Sequence, residues 1–204
     1  MKKNLTELVF IIDRSGSMEG LEDDTIGGFN SMLKEQQAIE GEAIVTTVLF
    51  DDKYELLHDR ISINGIAPLT RNDYTVRGYT ALLDAIGITI NKIHSVQKNT
   101  NSEYRADKVM FVIITDGYEN SSREFTAEQV KKRIEHQKKK YGWEFIFLGA
   151  NMDAVAEAAK YGISPDRASN YHATPAGIIG AWGVISVASS EYRVGSEIKN
   201  LEVL

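Results

Sequence analysis

Cysteine is absent from all 204 residues. Disulfides, thiolate metal sites and cysteine nucleophiles are therefore excluded. Proline occurs three times and forms no cluster, and no repeat or low-complexity tract divides the chain. Long hydrophobic runs are also missing: nothing approaches the ~20 apolar residues that span a bilayer. Near the N-terminus, Lys2 and Lys3 precede an apolar run over residues 8–12, but Asp13 ends it, too early for a secretory h-region. The expectation is a cytoplasmic protein with no membrane contact. A basic excess is lacking too. Lys and Arg number 23 against 29 Asp and Glu, a net charge of −6, so no nucleic-acid partner is expected. What remains is an ordinary globular composition, 43% hydrophobic and 25% charged. At roughly 150 residues per domain, it predicts a single domain over residues 1–204 with a full layered core.

The hydrophobic pattern alternates between two kinds of segment. Residues 8–12, 109–115 and 144–148 are short β-branched or aromatic runs of the type buried on both faces of a parallel sheet. Residues 43–50 and 53–63, separated by the turn signal Asp51-Asp52, read as a hairpin that adds one antiparallel edge strand. Residues 169–172 suggest a last short strand. Between them, residues 25–39, 80–93, 126–140 and 153–160 carry helical spacing, and Thr126 with Gln129 has capping-box form. A closing helix is expected over 175–191 despite Gly177, Gly180 and Gly183, and its glycines raise the hypothesis that it is mobile. The polar stretch 97–107 reads as a loop. Strands alternating with helices predict a doubly wound α/β fold: a mostly parallel six-stranded sheet with one antiparallel edge strand and helices on both faces.

In such sheets ligands bind at the carboxyl ends of the strands, near the point where strand order reverses. The first strand ends in Asp13-Arg14-Ser15-Gly16-Ser17, the strand 109–115 runs into Asp116-Gly117, and Gly78-Tyr79-Thr80 opens a helix. Alternate residues of an extended segment point the same way, so Asp13, Ser15 and Ser17 can converge, with Gly16 allowing the turn. Carboxylate and hydroxyl oxygens are hard donors suited to Mg2+, with Mn2+ or Ca2+ as alternatives, and no His or Cys joins them as zinc would favour.

Asp13-x-Ser15-x-Ser17, Thr80 and Asp116-Gly117 resemble the metal-ion-dependent adhesion site of von Willebrand factor A domains, and the element order resembles that family along roughly the whole chain. The resemblance implies that Ser15, Ser17 and Thr80 bind the metal directly or nearly so and that Asp13 and Asp116 act through water. It implies that a protein partner completes the metal's shell with an Asp or Glu. It is sharpest toward stand-alone bacterial members, for which a non-catalytic, intracellular binding role is the expectation. The oligomeric state is left open.

Each signal has a plainer counterpart. Asp13, Ser15 and Ser17 also suit turns, Thr80 suits an N-cap, and Asp116-Gly117 suits a turn after a strand. The acidic stretch Glu19, Glu22, Asp23 and Asp24 is read as helix N-terminal charge. Lys131, Lys132, Arg133, Lys138, Lys139 and Lys140 are read as a solvated face. His58, His94, His136 and His172 show no ligand spacing. Arg14 and Met18, at the variable positions of the motif, are placed near the metal's open face, and Tyr79 and Tyr118 at its rim. A metal-dependent phosphoryl-transfer enzyme is one alternative, weakened because position 15 is Ser where an Asp pair would be needed and because no Walker A loop occurs. A structural subunit whose metal only stabilises is another.

Overall fold

The computed structural model describes residues 4–202. The Lys2 and Lys3 of the signal-like pattern lie outside the described residues. The elements, in chain order, are β1 (Leu5–Asp13), α1 (Glu22–Gln37), β2 (Glu42–Phe50), β3 (Tyr54–Ser62), α2 (Leu82–Asn99), β4 (Lys108–Thr115), α3 (Ala127–Tyr141), β5 (Glu144–Gly149), α4 (Ala154–Lys160), β6 (Ala168–Asn170) and α5 (Pro175–Val194). They build a six-stranded sheet in the order β3-β2-β1-β4-β5-β6. Only the β2–β3 pair is antiparallel. Strand order reverses between β1 and β4, so the loops leaving these two strands diverge to opposite sides and open a crevice at their carboxyl ends.

Both faces are covered because the β1 and β4 side chains alternate between two cores. Leu8, Phe10, Ile12, Met110 and Val112 pack with Phe29 of α1 and Trp182 of α5. Val9, Ile11, Phe111 and Ile113 pack with Ile86 and Ile90 of α2, Ile134 of α3 and Ala158 of α4. Gly28 lets α1 and α5 approach: a Cβ there would come within 2.2 Å of the Trp182 ring. The capping box at Thr126 and Gln129 forms in full. Among the described residues, no helix is long and apolar enough to cross a membrane.

Several boundaries differ from the sequence reading, three of them for a clear local reason. Helix α1 starts earlier, placing Glu22, Asp23 and Asp24 in its first turn where they complement the helix dipole. Helix α2 continues to Asn99, into the stretch read as loop, because Ile93 and Gln97 are buried and extend its inner face. The rest of that stretch is tied down at Asp107, which exchanges hydrogen bonds with the Leu5 backbone at 2.9 and 3.1 Å. Helix α2 also begins two residues after Thr80, with Ala81 at the N-cap position and no side-chain cap. Helix α5, despite its glycines, is anchored. Buried Arg193 donates to the carbonyls of Gln36, Ile39 and Gly41, while Lys108 Nζ caps its carboxyl end through the carbonyls of Tyr192 and Arg193.

Candidate metal centre

Parallel neighbours β1 and β4 deliver Asp13 and Thr115 to the same edge, with Ile12 opposite Ile114 in the register. Asp13 is buried. Its Oδ1 accepts from the Ser15 amide at 2.7 Å and its Oδ2 from Thr115 Oγ1 at 2.5 Å. After Ser15 the chain makes a single 3-10 turn, Gly16–Met18, pinned by the buried Met18 side chain. That turn brings Ser17 Oγ back to 3.2 Å from Ser15 Oγ, where it donates to Asp116 Oδ1 at 2.5 Å.

Thr80 reaches the cluster from a third loop. Its amide donates to Asn120 Oδ1 at 2.9 Å and its carbonyl accepts from the Asn120 amide at 3.0 Å, which fastens it to the loop that carries Asp116. Since Ala81 rather than Thr80 takes the N-cap position, the Thr80 hydroxyl is not used for capping. A Cβ added at Gly117 would stand 3.3 Å from both Ser17 Oγ and Thr80 Oγ1. The two hydroxyls therefore flank a position where the missing side chain leaves room. All of Asp13, Ser15, Ser17, Thr80 and Asp116 meet at this edge.

The electrostatics are those of uncompensated acids. Burial pushes Asp13 up to about 6; hydrogen bonds from Thr115 and Ser15 pull it back, and the charge of Asp116 adds to the rise. Burial likewise raises Asp116, against the hydrogen bond from Ser17. Among the described residues, no cationic side chain figures in the shift of either group. Asp116 Oδ2 is buried without a hydrogen-bond partner, a costly state for a carboxylate oxygen. An orphaned oxygen, a neighbouring buried carboxylate and three hydroxyls fit a hard divalent cation. Among the described residues no group of three or more His, Cys, Asp or Glu side chains is disposed to hold a metal, so a cation here must draw on hydroxyl oxygens.

Two expectations are corrected. Arg14 and Met18 do not lie at the open face: both are buried, Arg14 in ion pairs with Asp51 and Glu55 and Met18 in the core beside α1. Positions 13, 14, 15 and 18 face inward and 16 and 17 outward. Tyr79 and Tyr118 do stand exposed, at 69% and 51%, next to Thr80 and Gly117. Thr80 is not the N-cap that its plain reading made it, whereas the plain readings of the basic stretch and of His94 hold. Lys132 pairs along its own exposed helix face with Glu128, and His94 contacts Gln137.

Sequence reasoning missed four supporting residues. Thr115 and Tyr74 hold Asp13, the latter by donating its hydroxyl to the Asp13 carbonyl at 2.5 Å. Asn120 holds Thr80, and Asp51 gathers Arg14 and Arg77. Asp51 was visible only as half of a turn signal. The position of Thr115, last in its strand and just before Asp116, was the one usable hint.

No family model and no curated protein matches the chain. Among solved structures its fold recurs at low identity. The proximal thread matrix protein 1 of the mussel byssus, described with a zinc-occupied MIDAS motif, superposes with a TM-score of 0.60 at 13% identity over 92% of this chain and 46% of that one. A von Willebrand factor type A protein from Catenulispora acidiphila gives 0.57 at 14% identity, covering 92% and 43%. The manganese-loaded TRAP protein of Plasmodium vivax gives 0.56 at 13% identity, covering 86% and 72%. The chain spans less than half the length of the first two. On this architecture the chain has the von Willebrand factor A fold, with the five residues that resemble its adhesion motif gathered at the carboxyl edge of the sheet.

Proposed function

We propose that this edge is a metal-dependent binding site for a protein partner. Ser15, Ser17 and Thr80 would offer hydroxyl oxygens to a divalent cation, and Asp13 and Asp116 would supply the negative charge around it. The observation that carries the reading is the pair of buried, cation-free carboxylates, one with an oxygen that has no partner. A bound cation would supply a Lewis-acidic position able to take a further carboxylate. With only two acids and neutral hydroxyls around it, the site keeps its attraction for an Asp or Glu from outside. Thr115 and the Ser15 amide orient Asp13, and Ser17 orients Asp116. Exposed Tyr79 and Tyr118 would frame the partner with amphipathic contact area.

Mg2+ is the cation we favour, with Mn2+ and Ca2+ as alternatives. The zinc and manganese of the mussel and Plasmodium structures support a divalent ion of some kind. We read the domain as non-catalytic: Ser15 stands where a phosphoryl-transfer site would want a second carboxylate. The test is metal-dependent capture. A partner should be retained by the wild type in Mg2+, released by chelator and not retained by Thr80→Ala. Changing one Asp or Glu of that partner to its amide should abolish binding. Capture that persists in chelator, or in Thr80→Ala, would leave the metal with a stabilising role only.

A further inference from the structure

We propose that Arg77 is a positioning residue for Thr80, acting through the buried carboxylate of Asp51; this rests on the metal-site reading above. Asp51 is fully buried, and one of its oxygens serves two loops. Oδ2 accepts from Arg14 Nε at 3.0 Å, within the Asp13–Ser17 motif, and from Arg77 Nε at 2.8 Å, on the loop that leads to Thr80. Glu55 closes the group, 2.7 Å from Arg14 Nη2 and 3.7 Å from Arg77 Nη2. Two cations and two anions thus balance one another beside, but apart from, the unbalanced pair at Asp13 and Asp116.

Asp51 grips both ends of the segment that contains Thr80. Arg77 binds its carboxylate, and the Ala81 amide donates to its backbone carbonyl at 2.8 Å. The segment is also bonded directly to the motif loop, by the Arg77 amide to the Arg14 carbonyl at 2.9 Å and by the Gly16 amide to the Gly78 carbonyl at 3.2 Å. Gly78 makes this possible. Its φ of +71° is left-handed, and a Cβ there would strike Asp52 Oδ1 at 2.3 Å. Thr80 is therefore held in place relative to Ser15 and Ser17 by a clasp whose outer member, Arg77, is half-exposed and replaceable without opening the core.

The sign of the effect separates positioning from charge. Removing a cationic side chain near a cation site strengthens cation binding if charge alone acts. Positioning requires the reverse: Arg77→Ala should weaken Mg2+ and Mn2+ binding about tenfold, as loss of an outer-shell partner does. The experiment is a calorimetric double-mutant cycle with Mg2+ and Mn2+ on wild type, Arg77→Ala, Thr80→Ala and the pair, with the unfolding temperature of each in chelator as the check on folding. Arg77→Lys, which keeps the charge but not the Nε contact, serves as the second variant and should weaken binding as well. Expected is a loss in each single variant and no further loss in the pair, since Arg77 has nothing left to position once the hydroxyl is gone. Unchanged or tighter binding in Arg77→Ala, or losses that multiply in the pair, overturns the proposal while the metal site stands. If Asp116→Ala and Thr80→Ala both bind as wild type does, the site reading itself fails and takes this proposal with it.

Discussion

Glu7 and Asp13 lie on one face of one strand, near its opposite ends, and both are fully buried. Glu7 has a dedicated cation: Arg60 donates Nε to Oε1 at 2.8 Å and Nη2 to Oε2 at 3.3 Å, and Gln97 donates to Oε2. To deliver that guanidinium, Arg60 adopts a left-handed φ of 54° where the β2–β3 pairing is irregular, at a cost of roughly 1–2 kcal/mol. Asp13 has uncharged donors from Thr115 and Ser15, and its neighbour Asp116 has the Ser17 hydroxyl on one oxygen. Burial raises Glu7 as it raises Asp13, but at Glu7 the Arg60 charge and hydrogen bond oppose it. The fold thus supplies side-chain cations for the buried acids Glu7 and Asp51 and, among the described residues, none for Asp13 and Asp116. On the reading proposed above, a cation from outside the chain would supply the charge missing at Asp13 and Asp116.

The largest expected effect breaks the paired end. Arg60→Ala should cost about 3–5 kcal/mol in urea unfolding, because it leaves Glu7 buried and unpaired, while Glu7→Leu with Arg60→Met should recover most of that loss. The carboxyl edge should respond to metal instead. Mg2+ at ten times its Kd should stabilise the wild type by about 1.4 kcal/mol, a rise in unfolding temperature of roughly 3–6 °C, and Asp116→Ala should show none. In chelator, Asp116→Ala should be as stable as wild type or more so, the opposite sign to Arg60→Ala, since it removes a buried acid that has no cation.

A smaller effect concerns the paired acid nearest the site. Burial acts to raise Asp51, but the hydrogen bonds from Arg77 and the Lys53 amide and the charges of Arg14 and Arg77 outweigh it, so its pKa lies below the ordinary 3.8. The folded pKa is lower than the unfolded one. Its stabilisation is therefore present above about pH 4 and lost as pH falls through the folded value. Asp51→Asn should flatten the acid limb of a stability profile below pH 4. The smallest effect is expected at α5, where Arg193 and Lys108 hold both α1 and the helix end. Amide exchange there should match the central strands with or without Mg2+, and faster exchange on binding would support a mobile closing helix.

Most of the fold was legible because apolar periodicity and strand–helix alternation depend on local sequence. The doubly wound sheet, its antiparallel edge and its helices follow from them. The meeting of the five candidate residues was legible because Asp13, Ser15 and Ser17 are close in sequence, though a 3-10 turn and not an extended segment gathers them, and Thr80 and Asp116 sit beside recognisable element ends. What escaped depends on distant pairing. Nothing near Arg14 announces Asp51, 37 positions away, and nothing near Glu7 announces Gln97, 90 positions away. A charged residue in a motif's variable position looks exposed until its partner is known. The end of α2 moved for a related reason: Gln97 is buried where it reaches the Glu7 carboxylate on β1.

The most direct measurement is a calorimetric titration of Mg2+ and Mn2+ into the chelator-stripped protein beside Asp116→Ala. Binding at one site in the wild type that disappears in the variant is the predicted result. A wild type that binds neither ion, or a variant that binds as the wild type does, would contradict the claim that these buried acids await a cation.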